Sequence, residues 1–185
     1  MNILITGSNG VVGNEIANIF SKDKKYKIFL FTNKKNKIKK NVKIYYQDLV
    51  KPINYSIKID TIVHCAAKNP LSLSGNNPKE IYKTNIKITK NIIDFSNKNN
   101  VKKIFFLSAM DVYGSIKSKI LYEDYKGLNL NSYGKSKILS EKIFCKKNNK
   151  FKAVCLRIPG VFVSDLRRDR PFIMSIVKKI IKNRD

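Results

Sequence analysis

Two short runs in this sequence combine residue types and spacings that could do chemistry. The first is Thr6-Gly7-Ser8-Asn9-Gly10-Val11-Val12-Gly13, a G-x-x-G-x-x-G run. Gly7 permits a tight turn, Gly10 lets the backbone approach an anion with no Cβ in the way, and Gly13 allows a following helix to pack closely. A pyrophosphate-like anion would then sit on that helix's N-terminus, where free N–H groups and the macrodipole favour negative charge. The second run is Tyr133-Gly134-Lys135-Ser136-Lys137, with a Tyr and a Lys four residues apart. Inside a helix that spacing puts the phenol and the ammonium side by side on one face. A phenol titrates near about 10 and is a poor acid-base group at neutral pH. A neighbouring Lys⁺ favours the phenolate and draws it toward the working range. Taken singly, the glycine triplet also fits an ordinary strand-to-helix turn. In so Lys-rich a chain, the Tyr/Lys spacing also arises by chance.

The elements that must position these runs alternate along the chain. Ile3-Leu4-Ile5 is a β-rich run, and residues 11–20 carry apolar side chains at 12, 16, 19 and 20, a helical pattern. Runs 27–32, 42–46, 61–66, 103–107 and 153–158 are rich in Ile, Val and Phe and bounded by Asn, Lys or Gly, as buried parallel strands are. Helical patterns cover 78–97 and 131–147, the latter opening on Asn131 or Ser132 as a cap. Strands alternating with helices predict an α/β fold, a doubly wound, Rossmann-like parallel sheet. Ligands of such sheets bind beyond the carboxyl ends of the strands, where both runs fall.

With 185 residues, 43% of them hydrophobic, the chain can bury one sizeable core, which excludes a disordered or fibrous protein. No stretch approaches the roughly 20 apolar residues of a membrane span, and the chain opens on Asn2-Ile3-Leu4-Ile5 without a charged leader, so a cytoplasmic location is expected. The formal charge is +25, which raises the question of nucleic acid. Yet only five of the 38 basic residues are Arg, and the lysines are scattered over loops and helix faces with no aromatic interleaving. A joint excess of Lys, Asn and Ile is what an AT-rich coding sequence produces, so nucleic-acid binding ranks a distant third among the readings. Cys65, Cys145 and Cys155 are odd in number, far apart and without C-x-x-C or Cys/His spacing. Neither a disulfide framework nor a metal site is expected, and they read as reduced packing residues.

Together, in this order and about 120 residues apart, the two runs resemble the short-chain dehydrogenase/reductase superfamily. The glycine spacing resembles its extended branch, the NAD(P)-dependent epimerase/dehydratase family. Asp60-Thr61-Ile62-Val63-His64-Cys65-Ala66-Ala67 is similar to the family strand whose small residues, here Ala66 and Ala67, run beside the cofactor. Asn85 in Tyr82-Lys83-Thr84-Asn85 resembles the helix asparagine that shapes the active site. Ser108-Ala109-Met110-Asp111-Val112-Tyr113-Gly114 resembles the segment that carries the catalytic hydroxyl. The resemblance implies Tyr133, Lys137, Ser108 and Asn85 as the catalytic set. It implies residues Gly7, Ser8, Asn9, Gly10, Val11, Val12 and Gly13 as the cofactor loop, with Thr32, Asn33, Lys34, Asp48 and Leu49 at the adenosine end. Asp48 is equally readable as a turn former.

The departures matter. The family's hydroxyl lies four residues before the tyrosine of V-Y-G, where this chain has Ala109. Ser108 is one position early, and strand alternation would turn it to the other face unless the strand has already ended. Asp111 falls where the family's dehydratases carry an acid, although Met110 breaks the adjoining match. Gly160 replaces an asparagine that reaches toward the sugar nucleotide. His64, the only histidine, reads as a hydrogen-bonding residue that orients a loop. At the end of the second strand, Thr32-Asn33-Lys34-Lys35 offers no acid for a ribose 2′-hydroxyl, and its lysines suit a 2′-phosphate, so NADP(H) is favoured over NAD(H).

Residues 1–163 are expected to form the NAD(P)-binding domain and 164–185 the beginning of a truncated substrate lobe, with apolar residues at 172, 173, 176, 177, 180 and 181 at helical spacing. The leading expectation is an NAD(P)-dependent oxidoreductase, epimerase or dehydratase acting on a nucleotide sugar. Its rival is a dinucleotide-binding module without turnover, a sensor or partner subunit. A homodimer is left open, and no membrane partner is expected.

Overall fold

Strands that read as near-continuous apolar runs belong in a sheet covered on both faces. A computed structural model, which describes residues 1–33, 41–70, 77–161, 176, 179 and 180, has this arrangement. In chain order the elements are β1 (Asn2–Thr6), α1 (Val11–Phe20), β2 (Lys27–Thr32), β3 (Val42–Tyr46), β4 (Thr61–His64), α2 (Pro78–Lys98), β5 (Lys103–Ala109), a 3₁₀ turn (Met110–Tyr113), α3 (Ser132–Phe144) and β6 (Lys152–Ile158). All strand pairs are parallel and the sheet order is β3-β2-β1-β4-β5-β6. This is the expected doubly wound, Rossmann-like sheet.

Alternation sorts the side chains into two layers. From β1, Ile3 and Ile5 pack with Ala17 of α1, Ile28, Leu30, Val63 and Leu107 on one face. Leu4 points the other way, into a larger core with Phe29, Phe31, Ile62, Ile104 and Phe106, covered by Ile88, Ile92 and Phe95 of α2 and Phe144 of α3. Each such side chain, fully buried, contributes about 1.5–3 kcal/mol. The expected start of a substrate lobe, 164–185, lies almost entirely outside the described residues.

The element ends have local causes. Asn77 caps α2 by accepting from the Lys79 N–H at 2.9 Å, with Pro78 in the first turn. Its far end closes on Asn99, whose side chain donates to the Phe95 carbonyl at 2.9 Å. Asn131 caps α3, accepting from the Gly134 N–H at 2.7 Å. The other end of α3 comes at Phe144, three residues short of the pattern in the sequence, because the Asn149 side chain donates to the Ile143 and Phe144 carbonyls. β5 runs two residues further than its apolar run, since Ser108 and Ala109 pair with Arg157 and Ile158 of β6. β4 stops at His64. From β1 the chain winds outward through β2 to β3, and from β4 in the other direction to β6, so the loops after β1 and β4 diverge. The crevice opens between them.

Candidate active site

A cleft of about 780 Å³ lies along the carboxyl edge of the sheet. Residues 7–13, Thr32 and Asn33, Asp48 and Leu49, Ala66 and Ala67, Ser108, Tyr133 and Lys137 all border it. The glycine run and the Tyr/Lys pair, far apart in sequence, thus face one space. Asn85 does not border this cleft, and Lys34 and Lys35 lie outside the described residues.

The glycines have separable duties. Gly7 has φ 70°, in the left-handed region, and a Cβ on it would lie 2.7 Å from the Ala66 nitrogen. It therefore lets the loop after β1 press against the end of β4. A Cβ on Gly13 would lie 2.5 Å from the Gly7 carbonyl oxygen, so α1 is seated directly on the turn. Gly10 differs: its φ is −78°, and among the described residues the one atom a Cβ would meet is the Gly7 oxygen, at 3.2 Å. Packing among these residues does not require Gly10 to be bare, and it borders the cleft. The first turn of α1 presents its unpaired N–H groups there. The cradle therefore fits a dinucleotide diphosphate.

At the β2 end of the cleft, the Asn9 amide donates to Thr32 Oγ1 at 2.7 Å, tying the loop to β2. Asp48 accepts from the Val50 N–H at 3.0 Å, forming a turn, and borders the cleft. Under the cleft floor, Thr6 Oγ1 lies 2.7 Å from His64 Nδ1 and accepts from the Ala66 N–H at 3.3 Å. The His64 ring stacks on Phe106 and meets Phe144 edge-on. Burial, reinforced by the charge of Lys137, pushes the imidazole down to about 3, so His64 is a neutral orienting residue.

Lys137 is 3% exposed. Its ammonium donates to the Leu107 carbonyl at 2.6 Å, lies 4.5 Å from the centre of the Phe106 ring and 5.4 Å from that of Tyr133. Burial draws it down to about 8. The phenol behaves differently from the sequence expectation. Instead of being lowered by Lys137, Tyr133 is pushed up to about 12, first by burial and then by the charge of Asp111. The physical reason is that the ammonium is anchored on Leu107 and faces the ring of Tyr133. The Asp111 carboxylate is itself held 3.0 Å from the Asn131 amide. Tyr133 therefore keeps its proton across the neutral range.

Asn85 acts from behind. Its Oδ1 accepts from the Lys68 N–H at 2.8 Å, and its Nδ2 donates to the Lys68 carbonyl and to Ser136 Oγ, both at 3.0 Å. Ser136 in turn donates to the Tyr133 carbonyl at 2.7 Å. One turn on, Thr89 and Ser140 hydroxyls meet at 2.7 Å, and Thr89 donates to the Asn85 carbonyl at 2.9 Å. A polar seam thus joins α2 to α3 and sets the Tyr133/Lys137 face. Thr89, Ser136 and Ser140 were not expected from the sequence. A signal was present: Asn85/Thr89 and Ser136/Ser140 are two small polar pairs at i, i+4 spacing on facing helices.

For Ser108, the strand continues through Ala109, so the condition for re-aiming its hydroxyl is not met. Among the described residues its Oγ is the buried side-chain polar atom without a hydrogen-bond partner. Ser108 and Ala109 both border the cleft, and Ala109 brings no hydroxyl to it. Arg157 lies on β6. It makes a two-pronged pair with Glu141 of α3 at 2.8–3.3 Å and donates to Tyr113 Oη at 3.0 Å and to the Glu123 carbonyl at 2.6 Å. It ties α3, the sheet edge and the 115–131 loop together.

The sequence profile of the NAD dependent epimerase/dehydratase family matches residues 3–184. A UDP-glucose 4-epimerase of Mycoplasma genitalium is 30% identical over 177 residues, covering 86% of this chain and 52% of its own. A second UDP-glucose 4-epimerase, from Halalkalibacterium halodurans, is 29% identical over 166 residues, covering 85% and 50%. The chain thus spans about half the length of the curated relatives it matches. Among solved structures, the UDP-glucose 4-epimerase of Thermotoga maritima with UDP-glucose superposes with a TM-score of 0.82 at 22% identity, over 98% of this chain and 63% of that one, which establishes the shared fold. With the glycine cradle, the Tyr/Lys face and a profile that spans nearly the whole chain, this protein belongs to the NAD dependent epimerase/dehydratase family.

Proposed function

We propose that this chain is the dinucleotide-binding portion of an oxidoreductase, epimerase or dehydratase acting on a nucleotide sugar. The observation that supports it is the single cleft bordered by both the bare Gly10 cradle and the Tyr133/Lys137 face. Residues 7–13 would hold the diphosphate, Asp48 and Leu49 the adenine end, Ala66 and Ala67 would flank the cofactor, and Lys137 would hold the ribose. When bound, the nicotinamide group supplies hydride exchange. The protein's part is the proton: Tyr133 Oη gives it to or takes it from a sugar hydroxyl or carbonyl. Burial holds that proton firmly, and positive charge introduced into the cleft loosens it. The Lys137 ammonium, anchored on Leu107, keeps its charge below about pH 8 and favours the phenolate as it forms.

NADP(H) is favoured over NAD(H), because no acid stands at Thr32 or Asn33 to oppose a 2′-phosphate. An unchanged cofactor preference after Lys34→Ala and Lys35→Ala would overturn that choice. A cytoplasmic location and a homodimer belong to the same reading, and cell fractionation and sedimentation test them.

A second reading, a dinucleotide-binding module without turnover, draws on the enclosed Ser108 hydroxyl and on Ala109 beside it. Fluorescence titration with NADPH and NADH, followed by hydride-transfer assays on a panel of UDP-sugars, separates the two. Turnover abolished by Tyr133→Phe with dinucleotide affinity retained supports the enzyme. Affinity without turnover in the unmodified protein supports the module, and no dinucleotide affinity overturns both.

A further inference from the structure

Cys145 and Cys155 sit on different elements: Cys145 closes the end of α3 and Cys155 is in the middle of β6. Their sulfurs are 3.7 Å apart. A disulfide needs about 2.05 Å, so the gap to be closed is less than about 2 Å of side-chain movement. The backbone on both sides is fixed in the arrangement that makes them neighbours. The Cys145 N–H donates to the Glu141 carbonyl at 2.9 Å, and Cys155 stands opposite Phe106 in the β5–β6 ladder. The Glu141–Arg157 pair clamps the same helix to the same strand, one turn before Cys145 and two residues after Cys155. Cys145 is exposed and Cys155 half-buried, so a small reagent reaches the first and the second waits behind it. Cys65 cannot compete, because it packs in the α1 layer while Cys155 packs in the opposite layer.

We propose that Cys145 and Cys155 are a reversible dithiol–disulfide site, closed by exchange with a low-molecular-weight disulfide of the glutathione class. The Cys145 thiolate attacks one sulfur of the reagent, forming a mixed disulfide and releasing one thiolate. The Cys155 sulfur, having given its proton to solvent, then attacks Cys145 and releases the second. Two protein thiols are oxidised, one reagent disulfide is reduced to two thiols, and the two protons end on those thiols. Burial and the nearby Cys145 and Glu141 push the Cys155 thiol up, so the second step quickens as pH rises. The product staples the last turn of α3 to the sheet and closes an 11-residue loop from 145 to 155. It does so three turns of helix away from Tyr133.

The test uses the folded chain, unmodified and as Cys65→Ser, incubated with oxidised glutathione and quenched in acid. The expected product has lost two hydrogens by intact mass, yields a Cys145–Cys155 linked peptide, and melts roughly 5–10 °C higher. Dithiothreitol reverses all three, and Cys145→Ser prevents them while the unmodified chain serves as the folded control. Glutathione adducts that persist on Cys145 with no internal bridge, covalent dimers through Cys145, or a bridge that forms equally fast in urea would each overturn the proposal.

Discussion

Gly10→Ala and Gly13→Ala differ by three positions and should have opposite signatures. At Gly13 the added methyl would sit 2.5 Å from a carbonyl oxygen of the backbone, which cannot swing aside as a side chain would. Either α1 or the turn must move, at a cost on the order of 1–3 kcal/mol in overpacking and with the cradle distorted. At Gly10 the methyl meets a single atom at 3.2 Å and the backbone is in an ordinary extended region. There the reduced freedom of the unfolded chain offsets the mild crowding, and stability should change by less than about 0.5 kcal/mol. The methyl stands where an anion would approach the first turn of α1. Displacing a phosphate from those N–H groups removes one charge-assisted bond at about 1.5–3 kcal/mol, a drop in affinity on the order of 10- to 100-fold. Urea midpoints and NADPH fluorescence titrations on both variants measure the two quantities. Gly10→Ala binding the dinucleotide as the parent does, at unchanged stability, would remove the cradle from the binding site and with it the basis for the proposed chemistry.

Three further outcomes are expected. Lys137 has a folded value of about 8 against an ordinary 10.5, so between these values the unfolded chain binds the proton more tightly. The stability of the parent relative to Lys137→Met should therefore rise by about 1.4 kcal/mol per pH unit from pH 8 to 10.5, with no slope below 8; a flat difference in urea melts across that window contradicts the burial. Asn85→Ala strands the Lys68 N–H and carbonyl, removes one of the two bonds of Ser136 Oγ and should lower stability by about 2–4 kcal/mol, whereas a loss under about 0.5 kcal/mol would mean water replaces the amide at no cost. Ala109→Ser puts a hydroxyl beside the cleft and should raise turnover on the best UDP-sugar roughly tenfold through one added hydrogen bond, with no change in dinucleotide affinity; unchanged initial rates would show that position 109 does not touch the reaction.

Much of this fold was legible because its signals are local or periodic. The run 27–32 and the helix 11–20 coincide with the observed elements, since an unbroken apolar run and a 3.6-residue repeat each have one way to be buried. Where boundaries moved, the cause was a partner far along the chain: β5 lengthens because Arg157 and Ile158 pair with it, and α3 shortens because Asn149 folds back on its last carbonyls. The site shows the same division. Tyr133 and Lys137 could be placed on one face by spacing alone, but their electrostatics could not, because these depend on Leu107, Asp111 and the depth of burial. The approach of Cys145 to Cys155 was invisible for a related reason: a helix end and a strand meet only after the sheet has been assembled.

The seam between α2 and α3 has a consequence for how the fold can drift. Greasy contacts tolerate sliding, whereas the Asn85–Ser136 and Thr89–Ser140 bonds exist at one setting of the two helices. Rotating α3 by a single residue turns its side chains through about 100° and breaks both inter-helix bonds at once. The pair of helices therefore works as a keyed joint. Replacing the seam with aliphatic residues could preserve or raise melting temperature while letting the phenol wander from its aim, so rigidity at this position is a matter of angle and not of strength.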